Sequence, residues 1–302
     1  MRIVSLLPSA TELVFAIGAG DLLVGRSHEC DFPPGRLQTL PVLTRQHISA
    51  EADSASIDRA VRAALGVQQS LYALDVPLLR SLAPDVILTQ DLCGVCSIDL
   101  GAVRSATESL NPPPKIVSLN PASIADVFDD VLTIGAAINR AADAREAMVR
   151  LRDRFYRILD HVNPFVEGPE VLFIEWTDPL FVGGHWTPEL ITRAGARHSL
   201  NPAGAQSRSV TPEEIIAAQP RAVIICPCGF ALERTCRESQ ALLSAEWFRA
   251  LPAARDKRIA LVDGNQYFNR PGPRLIDALA FLVGWIHGID HLIPPEFAWS
   301  PA

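Results

Sequence analysis

Short apolar runs recur along the chain: RIVSLL (2–7), LLVGRS (22–27), DVILTQ (85–90), KIVSLN (115–120), EVLFIEW (170–176), AVIICP (222–227) and RIALVD (258–263). Runs of this length, bounded by Pro, Gly and polar residues, predict strands buried on both faces. Helical spacing fills the intervals, so the expected class is α/β, with parallel strands and helical crossovers. Helix starts are marked as well. Ser9 with Glu12, and Thr211 with Glu214, fit the S/T-x-x-E capping box, while Pro188 and Pro212 suit first helical positions.

RIVSLLPSATELVFAIG (2–18) and KIVSLNPASIADVFDDVLTIG (115–135) share a strand, a Pro-containing turn, a helix and a closing Gly. The unit occurs twice, which excludes a solenoid. After the second copy, Ile124, Val127, Phe128, Val131, Ile134, Ile138, Ala141, Met148, Leu151, Phe155 and Ile158 keep roughly helical spacing, with no Pro between Pro121 and Pro164. One helix of that length would span about 50 Å at 1.5 Å per residue. The pattern therefore predicts two Rossmann-like α/β lobes, 1–123 and 163–302, joined by a backbone helix over 124–162, with a ligand cleft between the lobes.

Composition narrows the function. At 302 residues, 48% apolar and 20% charged, the chain has the make-up of a soluble globular protein. A net charge of −7 removes the basic footprint that nucleic acid or an anionic membrane requires. No stretch of about 18 apolar residues is present to insert in a bilayer. The initiator Met runs directly into the first apolar run without a signal-peptide pattern, which predicts a cytoplasmic protein, or a periplasmic one if a leader has been removed. Six cysteines in the cytoplasm would be reduced thiols available for ligation or chemistry.

The cysteines fall after predicted strands: SHEC (27–30), LCGVC (92–96) and CPCGF (226–230). Ligands of open α/β sheets bind beyond the carboxyl ends of strands, so His28, Cys30, Cys93, Cys96, Cys226 and Cys228 form a candidate zinc or iron–sulfur ligand set. Against that stand a plain turn for the C-x-x-C and a buried apolar role for Cys226. His28 has the alternatives of a metal bond, including one to cobalt, or a hydrogen bond to Glu29 or Asp31. Trp176 and Trp186 offer flat faces to a macrocycle, or belong to the core. Arg270 and Arg274 flank a rigid PGP and suit an anionic or carboxamide edge, or a surface ion pair. GAG (18–20) follows a helix and lacks the dinucleotide fingerprint; no P-loop lysine or G-x-S-x-G is present.

Several stretches, in order over nearly the whole chain, carry a family resemblance: SLLPSATE (5–12), VGRSHECDFPP (24–34), LLRSLAPDVILTQ (78–90), FIEWTDPLFVGGHW (173–186), VTPEEIIAAQPRAVII (210–225) and YFNRPGPRLIDAL (267–279). The chain resembles the class III periplasmic binding proteins with a helical backbone, and among them the cobalamin-binding components of vitamin B12 importers. The region around 50–70 looks inserted. The resemblance implies a ligand lying flat between lobes against Pro8, Glu29, Phe181, Gln266, Tyr267 and Arg270. It also shows departures: Glu29 replaces an aromatic residue, Arg45 a tryptophan, and Pro77 one of two docking carboxylates, of which Glu213 remains. Delivery to a membrane transporter is therefore not expected. The leading expectation is non-enzymatic binding of a corrinoid or related metal-containing cofactor. The alternatives are a Cys/His-ligated zinc or iron–sulfur protein, structural or catalytic, and a transport-linked binding protein whose leader is missing.

Overall fold

The computed structural model describes residues 1–47, 52–66, 71–91, 100–108 and 110–302. The chain divides into two compact units, one of 1–52, 56–121 and 125–151, the other of 53–55, 122–124 and 152–302.

The first unit contains β1 (Ile3–Ser5), α1 (Pro8–Ile17), β2 (Leu23–Arg26), β3 (Thr44–Gln46), most of α2 (Ser54–Gly66), β4 (Tyr72–Leu74), α3 (Val76–Leu82), β5 (Val86–Thr89), α4 (Leu100–Thr107) and β6 (Lys115–Ser118). Four strands form a sheet in the order β2-β1-β5-β6, and every pairing is parallel. Alternate residues face opposite cores. Ile3, Val86 and Leu88 pack with Leu13, Val14, Val131 and Ile134, whereas Val4 and Ile87 pack with Leu43, Leu79 and Val103. This two-sided burial is why the strands read as unbroken apolar runs. The described part of the region that looked inserted holds α2, and β3 and β4 on either side of it pair antiparallel.

The expected single backbone helix is two helices, α5 (Ile124–Ala137) and α6 (Ala141–Leu159). Asn139 takes a left-handed φ of 58°, and the Arg140 N–H reaches back to the Gly135 carbonyl at 2.7 Å. Gly135 has no Cβ, and one placed there would collide with Ala144, so a glycine against an alanine lets the two helices turn closely on each other. Ala144 and Ala147 then join Val131 and Ile134 in the core. Apolar spacing continues through the corner because both helices face that core.

The second unit contains β7 (Val171–Thr177), β8 (Leu180–Val182), α7 (Thr187–Arg193), β9 (Arg208–Ser209), α8 (Pro212–Ala218), β10 (Ala222–Ile225), α9 (Leu232–Glu238), α10 (Gln240–Ser244), α11 (Glu246–Arg249), α12 (Pro252–Arg255), β11 (Ile259–Val262), α13 (Leu275–His287) and β12 (Trp299–Pro301). The sheet order is β12-β11-β10-β7-β8-β9. β7, β10 and β11 run parallel, and β8, β9 and β12 extend the edges antiparallel. One core joins Leu172, Ile174, Val223 and Ile225 to Ile215, Phe248 and Leu251. Aromatic rings make another contact set, with Phe268 lying 4.9 Å from Phe173 and 6.4 Å from Phe281.

The capping box at Thr211 and Glu214 is present on α8, with Pro212 in its first turn. The one expected at Ser9 and Glu12 is not. α1 starts at Pro8 with Leu7 at its cap, which leaves Ser9 and Glu12 buried inside the helix. Pro188 is in the first turn of α7 as expected, with Thr187 the first helical residue and Trp186 at the cap. Among the described residues no helix is long and apolar enough to cross a membrane.

Candidate functional site

In the first unit, the loop after β2 carries His28, Glu29 and Cys30. Its shape is fixed from inside. Ser27 N–H donates to Ser5 O at 2.9 Å, tying the loop to the end of β1. The Arg26 guanidinium donates to the carbonyls of Ser27, Cys30 and Leu37 at 3.2, 2.9 and 3.1 Å. His28 Nδ1 lies 2.7 Å from Thr44 Oγ1, and that hydroxyl donates to Ser27 Oγ at 3.0 Å. His28 Nε2 is shielded from solvent and lies 3.2 Å from Glu29 Oε1, yet has no aligned hydrogen-bond partner. Pro8, half-buried, opens α1 after the neighbouring strand β1.

In the second unit, Trp176 and Phe181 are directly opposed across the β7–β8 pairing. Opposed residues project from the same face of a sheet. Both are partly exposed, and Phe230, in the loop after β10, lies 4.9 Å from Trp176 at a tilt of 52°. The Arg234 guanidinium covers Phe230 at 3.6 Å. The Trp176 indole N–H donates to Asp178 O at 3.0 Å and to Ser54 O, in the same unit, at 3.3 Å. Its polar edge is thus held, and its apolar surface forms a ledge with Phe181, backed by the buried Phe230.

Backbone bonds hold the loops after β10 and β11 together. Gly229 N–H donates to Gly264 O at 2.9 Å, and Gly264 N–H to Phe230 O at 2.7 Å. A Cβ on Gly264 would run into the Pro227 carbonyl, so only glycine allows this approach. Gln266 Oε1 accepts from Arg274 at 2.5 Å. Tyr267, at a left-handed φ of 45°, donates its hydroxyl to Glu296 O at 2.9 Å, and its ring packs 4.2 Å from Phe297.

Burial divides the expected ligand-facing residues. Pro8, Glu29, Trp176, Phe181 and Gln266 are partly exposed, whereas Trp186, Tyr267 and Arg270 are buried. Trp186 donates its indole N–H to Phe268 O at 2.7 Å and belongs to the core, so it offers no stacking face. Arg270, donating to Asn265 Oδ1 at 3.3 Å, and the buried Arg274 brace the loop after β11 instead of forming surface ion pairs. Phe230 was not anticipated. Its only sequence signal is an aromatic residue just past a strand end, in CPCGF.

Among the described residues the zinc or iron–sulfur set does not assemble. Cys30 is in the first core, its sulfur accepting from the Thr11 hydroxyl at 3.0 Å. Cys226 is fully buried and directed at Asp263 O at 3.8 Å; burial, with Asp263 and Glu175 nearby, pushes its thiol well above the ordinary range. Ligation needs a thiolate, which this environment opposes. Cys228 is exposed, and Cys93 and Cys96 lie outside the described residues. Among the described residues no three His, Cys, Asp or Glu side chains converge as a metal site.

Comparison with known proteins supplies the family. The periplasmic binding protein family profile matches residues 3–265. The chain belongs to the periplasmic binding protein family. Among its relatives, the vitamin B12-binding protein of Vibrio cholerae serotype O1 is 24% identical over 289 residues, covering 92% of this chain and 86% of the relative. In structure it is similar to the periplasmic heme-binding protein RhuT from Roseiflexus sp. RS-1 in apo form, with a TM-score of 0.72, 23% identity and coverage of 95% and 98%. The periplasmic vitamin B12-binding protein BtuF of Vibrio cholerae aligns with a TM-score of 0.65 at 18% identity, covering 96% and 97%.

The two α/β units are thus the lobes of the periplasmic binding protein fold. The expected cytoplasmic placement finds no support among relatives whose names put them in the periplasm. The zinc or iron–sulfur alternative is not supported by these relatives either.

Proposed function

We propose that this periplasmic binding protein captures a flat, metal-containing macrocycle, a corrinoid or a heme, for an ABC importer, without covalent chemistry. The observation that carries the reading is the ledge of Trp176 and Phe181, backed by the buried Phe230, at the strand ends of the second unit. Flat conjugated or highly substituted rings gain most from such aromatic surface, and few polar groups are needed to orient them. The names of the relatives, which bind vitamin B12 or heme, support the same class of ligand.

The importer part revises the expectation from Pro77. That residue lies in the first turn of α3, and the exposed Asp75 stands immediately before the helix, its carboxylate accepting from Leu78 N–H at 2.9 Å. Glu213 is exposed in the first turn of α8, and hydrogen bonds to the Thr211 side chain and to backbone hold its carboxyl below the usual range. Each unit thus offers an ionised or cap-held carboxylate at a helix start, which favours transporter docking over its loss. The test of ligand class is an absorbance titration of the protein with hemin and with aquocobalamin. Saturable binding of one of them, weakened in Trp176→Ala, supports the reading; absence of binding to both rejects it.

A further inference from the structure

Within the second unit, a group of donor side chains that takes no part in the aromatic ledge sits at the ends of α6 and α13. α6 closes at Leu159, and His161 follows it, its backbone N–H donating to Ile158 O at 3.2 Å. α13 closes at His287, and the 3-10 turn Asp290–Leu292 after it carries His291. The rings of His161 and His291 meet edge to face, with centroids 6.2 Å apart and planes at 77°. Both residues are exposed. Among the described residues neither ring has a hydrogen-bond partner, so each neutral ring keeps a lone pair for a ligand. His287 is differently placed: its Nε2 donates to Ala194 O at 2.8 Å. An edge-to-face contact between exposed rings buries little and needs a histidine at neither position. What this pairing adds is two nitrogen donors side by side. The charges around them suit a cation. Asp160 precedes His161, Asp290 precedes His291, and both are exposed. The last carbonyls of α6 and α13 present the negative ends of two helix dipoles.

We propose that His161 and His291 form a surface site for a late first-row divalent cation, copper(II) before the others. Imidazole nitrogen suits copper, nickel and zinc. Metal–nitrogen bonds of about 2 Å put the centres of two imidazoles on one ion roughly 5–6 Å apart, according to the angle between them. The observed 6.2 Å therefore needs only a small rotation of two exposed side chains. The described residues hold no cluster of three donors, so two imidazoles are the protein's share and water completes the shell. That composition fits a tetragonal copper(II) or nickel(II) ion better than structural zinc, which takes four protein ligands. Binding is ligand exchange: two waters leave the ion, two nitrogen lone pairs take their places, and no electron changes hands. The bound ion ties the end of α6 to the turn after α13. The site stands independently of the macrocycle reading, since neither histidine belongs to the strand-end loops that carry it.

Copper(II) and nickel(II) chlorides are the probes, added to the intact chain with its reactive thiols blocked by N-ethylmaleimide; magnesium chloride is the control. Calorimetric titration should give one copper(II) site per chain, weaker binding of nickel(II) and none of magnesium. The electron paramagnetic resonance spectrum of the copper form should show coupling to two nitrogens. His161→Ala and His291→Ala should each lose about 100-fold in copper(II) affinity, because the remaining donor no longer acts together with a second one held beside it. The double variant should be little weaker than either single one, the non-additivity expected of two groups that share one ion. Both positions are exposed, so urea midpoints without metal should match wild type in all three variants. Unchanged copper(II) affinity in either single variant overturns the assignment, as does a one-nitrogen spectrum or a pair of independent, additive losses. A metal-free midpoint lowered in both single variants overturns it too, since the pair would then be a packing contact.

Discussion

Asp130 on α5 is in an environment unsuited to a charge. Burial is the main cause, reinforced by Asp126 and Asp129, and together they raise its carboxyl to about 7. Oδ2 has no hydrogen-bond partner. Val127, Val131 and Ile134 of the same helix are all buried. Because the folded-state value lies above the unfolded one, folded protein keeps the proton in the interval where unfolded protein has released it. Stability from this group is present below about pH 4 and is lost as pH rises towards 7. At ~1.4 kcal/mol per pH unit that rise sets a ceiling of about 4 kcal/mol. The residue as a whole is partly exposed, and solvent screening reduces the expectation to about 2 kcal/mol. Asp130→Asn keeps the shape and removes the charge. In urea unfolding at pH 4, 5.5 and 7.5, the variant should match wild type at pH 4 and exceed it by about 2 kcal/mol at pH 7.5. A gap independent of pH, or a variant less stable at pH 7.5, would refute the argument.

Other outcomes follow from the second unit. Gly264→Ala should destabilise by about 2–3 kcal/mol in denaturant unfolding, since its methyl meets the Pro227 carbonyl where the two loops are joined. Thr211→Ala should cost about 1 kcal/mol in the same assay by removing the α8 cap. Maleimide labelling of native protein followed by peptide mapping should modify exposed Cys228 and leave fully buried Cys226 intact until the protein is unfolded. Labelling of Cys226 at the same rate as Cys228 would contradict its placement.

What was legible in the sequence was what burial on two faces writes as an apolar run. All seven runs became strands: β1, β2, β5, β6, β7, β10 and β11. The ribbon strands TRQ and YAL, and the edge strands β8, β9 and β12, are short and partly exposed, so they leave no such trace. The corner at Asn139 was hidden because spacing reports which residues face a core and not whether one helix or two present them. Trp176 and Phe181 could each be proposed from sequence, but their opposition depends on the β7–β8 register, with its irregularity between Ile174 and Trp176. The thiols misled for a related reason. Position after a strand places a residue near a loop, but only packing decides that Cys30 and Cys226 turn into cores rather than outward.

The account depends most on the chemical class of the ligand. Its most direct measurement is an equilibrium titration of the intact chain with hemin and aquocobalamin, followed by absorbance and by tryptophan quenching. The account predicts saturable one-to-one binding to at least one of them, with quenching that depends on Trp176. A flat titration with both, on protein shown to be folded, would contradict it.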